Sequence, residues 1–147
     1  MKTVVLYDSV HGNTRKIAEA IASGLPRGVV VATPGSVDQS SLAGADLIII
    51  GSPTLGGRPT PGMQSLIDGL KVGGARTPRV AAFDTRLTMK FAKLFGYAAQ
   101  KMAAQLKEKG CTLEDEPQGF IVKGRAGPLA DGEEARARAW GQHLASR

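Results

Sequence analysis

Cysteine is nearly absent from this chain. The single Cys111 excludes an internal disulfide and agrees with a reducing cytosol. Aromatic residues are scarce as well, with one Trp, two Tyr and four Phe among 147 residues, so ring stacking on a ligand has few side chains to draw on. No apolar run approaches the roughly 18 residues needed to span a bilayer. The first apolar stretch, Val4 to Tyr7, is broken by Asp8 and is too short for the h-region of a signal peptide. The Cys/His/Asp spacing of a metal site is missing. So are the GK[ST] of a P-loop and the GxGxxG of a dinucleotide loop. No repeat, low-complexity tract or Pro/Ser linker divides the sequence. These absences predict one domain over residues 1–147, cytoplasmic, with no metal, membrane or disulfide chemistry.

Charge is present but uneven. The net charge is +6. Residues 1–70 carry five basic and five acidic side chains, whereas residues 71–147 carry 14 and 8. Arg86, Lys90, Lys93, Lys101 and Lys107 follow one another with no carboxylate between 85 and 107. A segment of that kind is either a solvated helix face or a surface for an acidic partner or a phosphorylated ligand.

The chain alternates two periodicities. Val4–Tyr7, Val29–Ala32 and Leu47–Ile50 are continuously apolar, the pattern of parallel strands covered on both faces. Residues 79–84 predict a fourth strand, and a fifth is split between 111–113 and 120–122. Between them lie helical patterns: Ile17, Ile21 and Leu25 at a spacing of four, with Gly24 as the stop; Met63, Leu66, Ile67 and Leu70 behind a Thr60-Pro61 start; and a helix over about 95–109 ending at Gly110. Asp131 with Glu134 predicts a capping box for a last helix, with Ala137, Trp140 and Leu144 on its buried stripe. Five strands separated by helices predict an open doubly wound α/β sheet. Ligands of such sheets bind beyond the carboxyl ends of the strands, which directs attention to the loops after strands one, three and four.

Ser9-Val10-His11-Gly12-Asn13-Thr14 is a polar, glycine-containing turn that feeds a helix N-terminus. Unpaired amides and the helix dipole suit a phosphate there, with the Ser9 and Thr14 hydroxyls and the Asn13 amide as further ligands. Ser9 and His11 have no partner that would make them a nucleophile and base, and the Asp8 carboxylate is expected to point away from a phosphate.

These six residues match, without a gap, the [ST]-x-x-G-x-T phosphate loop that follows the first strand of flavodoxins, and the whole chain resembles a short-chain member of that family. The resemblance implies a sheet of strand order 2-1-3-4-5 and a noncovalently bound FMN. Pro53-Thr54-Leu55-Gly56-Gly57 resembles the family loop that packs on the isoalloxazine and reaches its N5. The Gly-Gly pair there allows a peptide flip, so the resemblance implies cycling through semiquinone and hydroquinone states. Asp84-Thr85-Arg86 begins the third loop, whose amides are expected at the pyrimidine edge, with Arg86 compensating charge near N1. Leu94 to Ala99 resembles the entry to the fourth helix. Leu55 stands where many flavodoxins have an aromatic, and only Met89 or Phe91 is positioned in the third loop to cover the other ring face; Trp140 reads as core.

The resemblance therefore implies an FMN electron carrier that meets redox proteins, acidic ones in view of segment 86–107, and involves neither nucleic acid nor membrane. The alternatives are a reductase of NAD(P)H or a quinone on the same scaffold, motivated by Leu55 and the Arg86/Lys90/Lys93 cluster, and a cofactor-free interaction domain.

Overall fold

A computed structural model describes residues 1–71, 77–88 and 96–147. Met89, Lys90, Phe91, Lys93, Leu94 and Phe95, which enter the expectations above, lie outside the described residues. In chain order the elements are β1 (Thr3–Tyr7), α1 (Asn13–Ser23), β2 (Val30–Ala32), α2 (Gln39–Ala43), β3 (Leu47–Pro53), α3 (Pro61–Gly69), β4 (Arg79–Arg86), α4 (Ala98–Glu108), β5 (Thr112–Leu113), β6 (Gln118–Ile121) and α5 (Glu133–Ala145).

The strands form one parallel sheet of order β2-β1-β3-β4-β5, and β6 also pairs with β4. The expected split of the fifth strand is a division of β4 between two partners. β5 takes its start, at Arg79 and Val80, and β6 takes its end, from Phe83 to Arg86.

Successive strand residues point to opposite faces, and both faces are apolar and covered. Val4, Leu6, Ile48, Ile50, Val80 and Ala82 meet Met63 and Ile67 of α3 and Met102 and Leu106 of α4. Val5, Leu47, Ile49, Ala81 and Phe83 meet Ile17 and Ile21 of α1 and Ala137, Trp140 and Leu144 of α5. Trp140 is core, as its stripe predicts, and its indole N–H donates to Asp115 Oδ2 at 2.9 Å. Cys111 is buried, and burial pushes its thiol pKa up. Among the described residues no helix is long and apolar enough to cross a membrane.

Thr60 caps α3 as expected, its hydroxyl accepting from Met63 N at 3.2 Å, with proline in the first turn. Other local features add to or correct the sequence reading. α2 is a short helix that no periodicity announces, capped by Asp38 through Ser40 N. Gly24 ends α1 in a right-handed conformation (φ −91°) that any residue can adopt. Its glycine serves the helix crossing instead: a Cβ there would collide with the Arg138 carbonyl of α5, and one on Gly141 with the Ile21 carbonyl of α1. Backbone cannot yield as a side-chain tip can, so the two glycines let α1 and α5 approach closely.

The expectation that gives way is the capping box of α5. Its N-cap is Gly132, with no side-chain cap. Asp131 pairs with Lys123 at 3.6 Å instead, and the neighbouring Glu133 takes over the organising role. Its carboxylate accepts from Ile121 N at 2.7 Å and from Arg136 Nε and Nη2 at 3.0 and 2.8 Å. The Arg136 fork, together with the Ile121 amide, holds the Glu133 pKa below the usual glutamate value against the opposing effect of burial. A depressed folded-state pKa contributes stability that is complete above the unfolded value, about 4.3, and lost as pH falls through the lower folded value. Glu133→Gln is therefore expected to cost about 2 kcal/mol at pH 7. Urea unfolding measured across pH should show the gap to the parent closing in acid, and a gap that persists below pH ~3 would refute the charge-based account.

Candidate functional site

β1, β3 and β4 end side by side at one pole of the sheet, and the chain leaves each through a loop. Between these loops lies a cavity of about 1010 Å³, at the upper end of ligand-site volumes.

The first wall follows β1. Gly12 is the N-cap of α1 at φ 92°, and no side chain caps the helix. The first-turn amides of Asn13, Thr14 and Arg15 thus have no intrahelical acceptor and face outward with the dipole behind them. Val10, His11, Asn13 and Thr14 line the cavity. Ser9 and Gly12 do not: the Ser9 hydroxyl accepts from Gly12 N at 3.0 Å and shapes the turn from within. Asp8 points away from the turn's interior as expected, its Oδ2 accepting from the Thr60 hydroxyl at 2.6 Å while Oδ1 accepts from Ser9 N. Thr14 and Thr85 share a hydrogen bond between their hydroxyls at 2.8 Å. Whichever donates, the other keeps its proton for a further acceptor. Asn13 is only 7% exposed, and its side-chain amide has no hydrogen-bond partner among the described residues.

The second wall is Pro53 to Gly57. Leu55 N donates to Arg58 O at 2.8 Å and Arg58 N to Leu55 O at 3.0 Å, closing a two-residue turn on Gly56 (φ 56°) and Gly57 (φ 80°). Two successive positive φ values are the pattern of a type I′ turn, accessible without strain only to residues such as glycine. Thr54 lines the cavity, but its hydroxyl is committed, accepting from Ala98 N at 3.0 Å. Leu55 is 46% exposed at the rim.

The third wall rearranges the sequence reading. Thr85, Arg86 and Leu87 line the cavity, whereas Asp84 is wholly buried beneath it. The Asp84 carboxylate accepts from Arg86 Nε and Nη2 at 2.6 and 2.8 Å and from Ala99 N at 2.9 Å. Arg86, expected to compensate charge near the flavin N1, is thus paired with its own strand neighbour. Its guanidinium lies 3.5 Å from the centre of the Tyr97 ring, a cation–π contact that fixes an aromatic in the cavity wall. In the sequence Tyr97 and Gly96 read only as part of a helix entry. Loop closure brings both to the site, together with Val122 and Arg125 beyond β6; no local motif marks any of the four. Among the described residues no cluster of His, Cys, Asp or Glu suits a metal ion.

The donor set fits a phosphorylated flavin. Outward amides, the Asn13 side-chain amide at the cavity wall and a hydroxyl pair suit a phosphate, and apolar walls with a Gly-Gly turn suit a flat ring system.

Comparison with known proteins agrees. The family model described as Flavodoxin matches residues 5–140. A protein of Nostoc sp. named diflavin flavoprotein A 5 is 44% identical over 82 residues, covering 50% of this chain but only 14% of its own length. Oxidised flavodoxin 2 from Bacillus cereus superposes with a TM-score of 0.80 at 24% identity, covering 99% of both chains. The flavodiiron protein of Giardia intestinalis gives 0.76 at 19% identity, over 99% of this chain and 35% of its own. At these identities the structural matches speak for a shared fold. The family match carries further: this chain belongs to the flavodoxin family, whose cofactor is FMN.

Proposed function

We propose that this protein binds FMN noncovalently as a single unit of 147 residues and acts in the cytoplasm as a one-electron carrier between redox proteins. One observation carries the reading: the uncapped first turn of α1, the unpartnered Asn13 amide and the Gly56–Gly57 turn open into the same cavity. The bound flavin would supply the electron-accepting chemistry, and the protein its position and electrostatics. The first wall would hold the phosphate. The Tyr97 ring and Leu55 would bound the ring system. Rotating the Gly56–Gly57 peptide converts a type I′ turn to type II′ and exchanges the carbonyl and amide presented to the cavity. Gly56 keeps a positive φ in both turns, so the exchange is inexpensive and could follow the protonation of a bound ring.

The exposed Val10 and Leu55 at the rim favour docking of a redox partner at the cavity mouth, and the net positive charge of the chain favours an acidic one. The reductase alternative loses support, because Arg86, one of its three cations, is committed to Asp84.

The test is to add FMN to purified protein and follow flavin fluorescence and the visible spectrum, then to titrate with reductant. We expect saturable one-to-one binding and two resolved one-electron steps. Binding followed by a single two-electron step would remove the carrier role. No binding would remove the FMN assignment.

A further inference from the structure

Residues 123–129 have no place in the motifs above, yet they form the fourth wall of the cavity. Val122 and Leu129 pair antiparallel, Lys123 N donates to Pro128 O at 2.8 Å, and Gly127 N donates to Gly124 O at 3.0 Å. The resulting hairpin rests on the phosphate loop. A Cβ built on Gly127 would fall 2.6 Å from Asn13 Oδ1 and 2.9 Å from Nδ2, and φ there is 102°. Only glycine permits both that backbone and that approach. The contact holds the hairpin against Asn13, a residue of the cavity wall.

The charge around the cavity is equally specific. No carboxylate lines it among the described residues. Of its two guanidinium groups, Arg86 is neutralised by Asp84. Lys123, at the base of the hairpin, pairs with Asp131. Arg125 is the cavity-lining cation with no acidic partner among the described residues, and it shares the cavity with His11, Asn13 and Thr14. A free cation beside outward amides attracts a dianion more strongly than the amides alone.

We propose that Arg125, carried on the Val122–Leu129 hairpin, pairs with the phosphate monoester of the bound flavin and sets the preference for FMN over riboflavin. The proposal rests on the FMN reading above. The Asn13–Gly127 contact fixes the turn of the hairpin, and the exposed arginine reaches from that turn as a long, adjustable arm. Charge pairing of this kind weakens with salt.

Fluorescence titration of the parent, Arg125→Gln and Arg125→Lys with FMN and with riboflavin, at low and high salt, tests the assignment. Arg125→Gln should weaken FMN binding about tenfold at low salt and leave riboflavin unchanged. Its FMN affinity should lose most of the parent's salt dependence, and Arg125→Lys should restore most of the affinity. Because Arg125 is exposed and unpartnered, the variants should fold as the parent does, which circular dichroism will verify. Equal FMN affinity in parent and Arg125→Gln would overturn the proposal, as would equal loss for both flavins, the sign of a purely structural hairpin. If the parent itself binds neither flavin, the FMN reading fails, and this inference fails with it.

Discussion

Asp84→Ala should destabilise the protein by about 3–5 kcal/mol, the range for removing one partner of a buried ion pair. The carboxylate is fully buried, whereas the Arg86 side chain retains 13% of its exposure, so the truncation leaves a largely buried cation without its counter-ion. It also removes the acceptor of Ala99 N, in the first turn of α4. Two losses thus coincide at the base of the cavity. With Arg86 released, the Tyr97 ring loses the guanidinium that lies 3.5 Å from its centre, so flavin affinity should fall together with stability. Urea unfolding at neutral pH gives the first quantity and fluorescence titration with FMN the second. A stability loss below about 1 kcal/mol, the value of an exposed ion pair, would mean that water reaches the pair and that the carboxylate does not organise the site.

Phe83→Ala should cost a similar amount, about 3–5 kcal/mol, for a different reason. The ring is fully buried and makes edge-on contacts with Phe120 and Trp140 at centroid distances of 6.1 and 6.3 Å. It also lies across Gly51, its register partner on β3, where a Cβ would run into the ring. Gly51 offers no side chain to refill the space, so the cavity left behind should persist. Thermal unfolding should shift down by about 10 °C for a chain of this size, and a shift of only a few degrees would show that Phe120 and Trp140 collapse into the gap. Phe83 supports the sheet below the cavity without touching it. Flavin affinity in conditions where the variant stays folded should therefore change little, in contrast to Asp84→Ala.

The sequence made some of this fold readable and concealed the rest for physical reasons. Parallel order, covered faces, the split last strand and the Thr60-Pro61 start were all visible, because each depends on local periodicity or on neighbours within a turn. α4 shows the limit. Its cap position is Tyr97, with no side-chain cap of its own, and its first amides are satisfied by Thr54 and Asp84, 44 and 15 residues earlier. No window around position 97 contains that information. Gly24 does end α1, yet what demands a glycine there is a carbonyl of α5. At the site, the two sequence motifs mark loops that border the cavity, but which side chains face it depends on long-range partners. Asp84 and Ser9 are committed internally, whereas Tyr97 and Arg125 arrive through closure of loops that bear no motif.

The glycine crossing of α1 and α5 has a kinetic consequence. Two backbones in direct contact leave no slack for α1 to slide along its neighbour, so the amides at its head stand at a fixed height whether or not anything occupies them. A dianion arriving there meets helix amides already in place, and only side chains such as Arg125 remain to settle around it. Cofactor exchange should then be governed by departure: arrival at ordinary diffusive speed, and a residence time set by the grip on the phosphate.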